Sequence, residues 1–318
     1  MGIDIVGAGA IGLLFAARLR AAGSEVRLWT RTAEQAELIN HSGIKIQQQD
    51  GTEQTVSGVM AAPFAESAYQ QEKGSSGSSD AGHDWILLAV KQRHLTEDLL
   101  ARLSSLHAGK RPVVCLQNGM GHLERIAQAV PREYLSAAVT TEGAKRPEAN
   151  HIIRSKPGRT SVGALLGCEF PALENLAAVL SQAGFEVSVS KEIEKEIHRK
   201  LLVNAAINPL TAIWRIPNGE LLATAEREEM LERLIMEGIA VYSAAGILFE
   251  EDLIGHIKSV CRSTSGNISS MLSDVMKGAE TEVDYINGYL VELAAQAGIS
   301  CPAHEMVWRL VKGLLQAG

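Results

Sequence analysis

Apolar positions change rhythm partway along this chain. Up to about residue 190 they come in short runs rich in β-branched residues, at 3–6, 26–30, 44–48, 85–90, 113–116, 135–140, 151–155 and 160–164, with helical spacing between them. That alternation predicts a mostly parallel sheet with helices on both faces. The run Trp85-Ile86-Leu87-Leu88-Ala89-Val90 has no polar interruption and fits a strand covered on both sides. From Glu192 onward the apolar residues recur at helical spacing instead. Helices are predicted at 192–213, 223–245, 250–260, 280–297 and 302–315, punctuated by Asn-Pro, Pro-Asn-Gly and Ala-Gly-Ile. An α/β domain over 1–190 and an all-helical domain over 191–318 are expected.

The turn after the first strand carries the first chemistry. Gly7-Ala8-Gly9-Ala10-Ile11-Gly12 stands between a predicted strand and a predicted helix, the context in which a GxGxxG hexamer marks a Rossmann-type dinucleotide-binding unit. Gly7 would permit the tight turn, Gly9 the approach of a pyrophosphate to the backbone, and Gly12 the packing of the helix on the sheet. The helix N-terminus adds free amides and partial positive charge. The second predicted strand ends in Thr30-Arg31, with no carboxylate between Val26 and Thr32. An acidic residue there would bind the ribose 2′-OH of NAD, whereas arginine accommodates a 2′-phosphate, so NADP(H) is the expected cofactor. The alternative for Arg31 is an ordinary solvated charge.

Two later strand ends are candidates. Lys91 follows the buried run, and Asn118 sits in Gln117-Asn118-Gly119-Met120-Gly121. An asparagine can donate and accept at once, which suits orienting a carboxamide or ribose; equally, Asn-Gly is a common turn. In the helical half, Lys200, Asn204 and Asn208 recur every four residues and share a helix face among apolar neighbours. A lysine in that setting can have a lowered pKa and donate a proton near neutrality; the bland alternative is a lysine that snorkels to solvent beside capping asparagines. Asn218 falls in a turn signal, Ile216-Pro217-Asn218-Gly219-Glu220. Glu282 and Ile286 share a face of the predicted helix while Asp284 points elsewhere, so Glu282 would hold a substrate hydroxyl or pair with a core lysine. Ser269 and Ser270 would contact a ligand or cap a helix.

Bulk properties narrow the partners. With 37 acidic and 30 basic side chains the net charge is -7, which disfavours a nucleic-acid surface. No run is long enough to span a membrane. Cys115, Cys168, Cys261 and Cys301 are far apart, fitting neither a disulfide framework nor a zinc cluster. His198, His256 and His304 are isolated and read as surface or packing residues, and no metal site is expected. A reduced cytoplasmic compartment is the expectation, and a homodimer is left open. The Ser/Gly-rich stretch 70–83 reads as a surface loop.

Taken in order, these segments resemble the ketopantoate reductase family. The resemblance rests on the Gly7-to-Gly12 turn, Lys91, residues 117–121, Arg199-Lys200-Leu201 through Asn204, Asn208-Pro209-Leu210-Thr211-Ala212, Pro217-Asn218-Gly219-Glu220-Leu221, Asn267-Ile268-Ser269-Ser270-Met271 and Thr281-Glu282 to Asn287-Gly288. It spans nearly the whole chain, with 70–83 standing out as an insertion. It implies NADPH-dependent reduction of 2-dehydropantoate (ketopantoate) to (R)-pantoate, with Lys200 as general acid and Glu282 binding the substrate hydroxyl. It further implies that Asn118 bridges cofactor and substrate, that Ser270 contacts the substrate carboxylate, and that Asn204, Asn208 and Asn218 line the substrate pocket. Lys91 corresponds to a lysine on the nicotinamide side. The competing expectations are a related NADP-dependent 2-hydroxyacid or β-hydroxyacid dehydrogenase and a non-catalytic NADPH sensor, though a sensor would be expected to lose Lys200 or Glu282.

Overall fold

The computed structural model describes residues 1–64, 84–107, 110–165 and 172–314; the stretch 70–83, expected as a surface loop, lies outside them. The chain divides into two compact units. One holds Met1–Gln117 and His122–Ile193, the other Asn118–Gly121 and Glu194–Gly318.

The first unit opens with strand β1 (Gly2–Val6), helix α1 (Ala10–Ala21), β2 (Glu25–Thr30) and α2 (Ala33–Ser42). Short strands β3 (Ile44–Gln47), β4 (Glu53–Val56) and β5 (Met60–Pro63) follow, then β6 (Trp85–Leu88), α3 (Glu97–His107), β7 (Val113–Cys115) and α4 (His122–Ile126). The unit ends with β8 (Leu135–Thr140), β9 (Gly143–Glu148), β10 (His151–Lys156), β11 (Arg159–Ala164), α5 (Ala172–Gln182) and β12 (Glu186–Val189). Eight strands form one sheet in the order β12-β11-β8-β7-β6-β1-β2-β5, parallel throughout except where β11 meets β8. β2 and β6 flank β1 on opposite sides, so the strand order reverses direction at β1. Open α/β sheets bind ligands beyond the strand C-termini at that switch point.

The expectation of one sheet needs correction. The runs at 44–48 and 151–155 belong to a separate four-stranded sheet, β4-β3-β10-β9, in which β3 and β10 are parallel and both outer pairs antiparallel. This second sheet packs on α1, which also lies against β1 and β2. α1 is therefore covered on two sides, and Leu13, Leu14, Phe15, Ala16, Ala17 and Leu19 are all buried. A helix apolar nearly all round needs such a second cover.

Asp4 sits between the fully buried Ile3 and Ile5 of β1 and is itself 0% exposed. Its carboxylate accepts from Trp29 Nε1 at 2.8 Å and pairs with Arg111 Nη1 at 2.5 Å, which answers a charge that would otherwise be costly in the core.

The second unit is helical: α6 (Ile193–Trp214), α7 (Ala225–Ala244), α8 (Leu253–Ser263), α9 (Ser270–Met276), α10 (Tyr289–Gln296) and α11 (Pro302–Gly313). Leu201, Leu202, Ala205, Leu234, Ile235 and Leu290 lie in its core at 0–1% exposure. At Gly238 a Cβ would fall 2.2 Å from Leu202 Cδ1, so α7 comes close to α6 there and a larger residue would make Leu202 turn aside. Glu237 Oε2 accepts the Ala303 and His304 amides at 2.8 and 3.2 Å and so caps α11. Two predicted helices shift. The one expected at 250–260 begins at Leu253, where Asp252 caps it by accepting from Gly255 N–H at 2.8 Å. The one expected at 280–297 begins with a π turn, Asp284–Gly288, that runs into α10; Glu282 lies in the bend just before it.

Candidate active site

In the first unit the glycine turn leaves β1 beside the end of β6. Gly7 has φ +112°, and a Cβ there would meet Val90 Cγ1 and Val90 N at 2.9 Å. A Cβ on Gly12 would fall 1.8 Å from Gly7 O, so Gly12 lets α1 start against the turn itself. At Gly9 nothing lies within 4 Å of an added Cβ. Gly9 is the N-cap of α1 and provides no side-chain cap, so the first turn of the helix has no side-chain acceptor of its own and the space beside Gly9 is open. A pyrophosphate fits that arrangement: an uncapped helix start, helix-dipole charge and a backbone it can touch at Gly9.

The turn has a support that the sequence pattern did not single out. Gln35 Nε2 donates to Ala8 O at 3.1 Å and to Ala149 O at 2.7 Å. Thr32 caps α2 through Gln35 N–H at 3.3 Å, so Thr32-x-x-Gln35 carried a readable capping signal, though the glutamine side chain is used elsewhere. Arg31 lies just beyond β2, exposed, with no side-chain hydrogen bond or ion pair among the described residues. Thr30 Oγ1 donates to Thr32 O at 2.7 Å and shapes the turn that carries it. Lys91, half-buried, precedes a short 3-10 turn, Gln92–His94, after β6.

In the second unit α6 presents Lys200, Asn204 and Asn208 at four-residue spacing on one face. Desolvation pushes the Lys200 ammonium down to about 8, and the charge of Glu282 holds it partly up. The structure thus brings Lys200 and Glu282 together. Asn204 is half-buried and Asn208 is 6% exposed; neither side chain makes a hydrogen bond among the described residues. Asn218 donates from Nδ2 to Thr264 Oγ1 at 2.9 Å, while its buried Oδ1 has no partner among them. Buried carboxamides left with unused capacity are costly unless a ligand takes it up.

The adjoining serines divide their roles. Ser269 is buried, caps α9 by accepting from Leu272 N–H at 3.1 Å, and lies 2.7 Å from Thr211 Oγ1. Ser270, the first residue of α9, is exposed and available to a ligand. Asp284 does point elsewhere, to Trp308 Nε1 at 2.7 Å and Lys312 Nζ at 2.9 Å. Asn118 is half-buried in the short segment that belongs with the helical unit, where Met120 N–H donates to Tyr285 O at 3.0 Å. Gly119 and Gly121, at φ +77° and +89°, give that segment its turns. His304 is fully buried, as expected of a packing residue, and His198 Nδ1 lies 2.8 Å from Glu194 O. Among the described residues no group of three or more His, Cys, Asp or Glu could hold a metal ion, and no helix is long and apolar enough to cross a membrane.

A glycine-turn nucleotide fold at a sheet switch point, in one chain with a helical unit that holds a desolvated lysine beside a carboxylate, defines an oxidoreductase of the dehydrogenase–reductase class. The chain belongs to the ketopantoate reductase family: residues 3–167 match the family model Ketopantoate reductase PanE/ApbA, and residues 192–315 match its C-terminal model. It is 32% identical over 313 residues to the 2-dehydropantoate 2-reductase of Archaeoglobus fulgidus, covering 98% of this chain and 97% of that protein. The Vibrio cholerae 2-dehydropantoate 2-reductase is 31% identical over 322 residues, covering 100% and 99%. Among solved structures, the probable 2-dehydropantoate 2-reductase of Bacillus subtilis superposes with TM-score 0.80 at 28% identity, covering 99% and 100% of the two chains. A D-mandelate dehydrogenase, solved with NADH and anilino(oxo)acetate, superposes with TM-score 0.87 at 28% identity, covering 99% and 98%.

Proposed function

We infer that this protein reduces 2-dehydropantoate to (R)-pantoate with NADPH, the step that feeds pantothenate and coenzyme A biosynthesis. The observation that carries the reading is the helical face on which Lys200, with its ammonium near pKa 8 beside Glu282, stands in line with the unpartnered carboxamides of Asn204 and Asn208. NADPH would be held by the Gly7–Gly12 turn and the α1 amides, with Arg31 on the 2′-phosphate and Lys91 and Asn118 towards the nicotinamide end. When bound, that cofactor would supply the hydride needed at the C2 ketone carbon.

The remaining chemistry belongs to the protein. Lys200 hydrogen-bonds the ketone oxygen, stabilises the negative charge that develops there and transfers its proton to it. Glu282 accepts a hydrogen bond from the primary hydroxyl of the substrate, the group that separates ketopantoate from a plain branched 2-oxo acid. Ser270 and the carboxamides of Asn204 and Asn208 hold the substrate carboxylate and orient the ketone, while Asn218, its Nδ2 committed to Thr264, lines the pocket. A domain assignment follows: residues 1–190 bind the dinucleotide, and 191–318 bind the substrate and supply the acid.

The D-mandelate dehydrogenase likeness favours a second reading, in which the same lysine serves another 2-oxo acid and the cofactor is NADH. Arg31 argues against the cofactor half of that reading and Glu282 against the substrate half. NADPH and NADH oxidation should be followed with ketopantoate, 2-oxoisovalerate and benzoylformate. Ketopantoate with NADPH should give the highest kcat/KM; a higher value with benzoylformate and NADH would replace the reading with the second one.

A further inference from the structure

α6 carries the proposed acid and two carboxamides, and it does so through an internal proline. Pro209 has no N–H to give the carbonyl four residues back, Ala205 O. Ala205 is 0% exposed, so water cannot replace the missing donor. The donor comes instead from the π turn: Asn287 Nδ2 lies 2.9 Å from Ala205 O. The same nitrogen lies 3.1 Å from His304 Nδ1, and His304 Nε2 lies 2.8 Å from Leu234 O.

The hydrogen-bond directions follow from the end of this chain of contacts. A carbonyl only accepts, so Nε2 of His304 carries the proton and Nδ1 accepts. Asn287 then donates one amide hydrogen to His304 and the other to Ala205 O. A flipped amide would set Oδ1 against two acceptors. Burial holds His304 near pKa 4, so it stays a neutral acceptor around pH 7.

The π turn also meets the other segments that carry chemistry. Tyr285 N–H donates to Glu282 O at 3.1 Å, and Tyr285 O accepts from Met120 N–H at 3.0 Å in the segment that holds Asn118. An alanine at 209 would have satisfied Ala205 O from within α6. A side chain from a different element does so here and ties two elements together. Single π turns of this kind recur at functional sites, where they re-aim side chains.

We propose that Asn287 is a positioning residue of the reaction centre, whose carboxamide stands in for the amide Pro209 lacks and so fixes α6 in one register against the Glu282 bend. The proposal rests on the roles given above to Lys200 and Glu282, through which Asn287 acts.

Pro209→Ala separates positioning from simple carbonyl satisfaction, because it returns an intrahelical donor to Ala205 O without restoring the tie to the π turn. The decisive comparison is Asn287→Leu/Pro209→Ala against Pro209→Ala alone, with Asn287→Ser in place of leucine if the leucine protein does not fold. The double variant also leaves the buried His304 Nδ1 without its donor, so its thermal midpoint should be lower; assayed well below both midpoints, its kcat on ketopantoate should fall at least about tenfold while KM for NADPH stays within about twofold. A kcat within about twofold of Pro209→Ala alone would overturn the proposal, since the bonds of Asn287 to Ala205 O and His304 would then serve stability only. A wild-type protein inert towards ketopantoate would sink the functional reading and leave this one to be judged separately. Acylation of Lys200 by an amine-directed reagent, read by peptide mass spectrometry across pH, needs no substrate. Its midpoint should differ between the two proteins, and an unchanged midpoint would count against positioning.

Discussion

Lys200 sets the pH window through the form in which it works. The ammonium is the acid, so kcat/KM should hold at lower pH and fall as pH rises through about 8. Glu282 raises that value, so Glu282→Gln should move the alkaline limb towards lower pH as well as weakening ketopantoate relative to 2-oxoisovalerate. A pH–rate profile of the two proteins checks the direction; a limb that stays put would detach Glu282 from the lysine. Lys200→Ala should slow turnover by roughly 10²-fold or more with NADPH affinity little changed, which single-turnover rates and a binding titration would separate. Arg31→Ala should weaken NADPH by about tenfold and leave NADH nearly untouched, since only the former has a 2′-phosphate for a guanidinium. Most of these side chains were legible in the sequence because their spacing put them at strand ends or on one helix face. Gln35 and Asn287 were not. Each acts on a backbone carbonyl far away in sequence, Ala8 O or Ala205 O, and no periodicity reports that.

Elements were readable where they bury an unbroken apolar stripe and obscure where they do not. β4 has three of its four residues exposed and β9 is exposed over its second half, so neither offers an apolar run. The second sheet was therefore invisible as a sheet, although the all-round apolar character of α1 implied that something covers its outer face. α9, at seven residues, is too short for its spacing to stand out, and its boundary is set by a cap instead. Ser269→Ala removes that cap together with one partner of Thr211 Oγ1, which keeps Ile207 O and Asn208 O within reach. It should cost about 1 kcal/mol in urea unfolding, the order of a lost helix cap. The π turn escaped detection for a different reason: Glu282 and Ile286 have the spacing of helix-face neighbours, but Glu282 stands outside the helix that bears Ile286.

For the whole molecule, two buried imidazoles dictate behaviour in acid. His122 and His304, one in each unit, are both pushed down to about 4 by burial. An unfolded histidine takes its proton near 6.5, so the unfolded chain gains protons that the native one refuses. Stability is intact above that value and declines as pH falls from about 6.5 towards 4, by up to about 3 kcal/mol per histidine. Urea midpoints at three pH values across that range would show the decline, and His304→Gln should make it shallower. The order of synthesis adds a separate constraint. Residues 118–121 leave the ribosome well before 194–318, yet they belong to the helical unit and give Tyr285 O its Met120 donor. That unit is completed only when the later-made π turn meets chain already translated. A fragment starting at residue 194 would lack one of its own parts, and amides around 283–288 should exchange with deuterium faster in it than in the intact protein. A synthetic peptide spanning 115–124, added in trans, should slow them again.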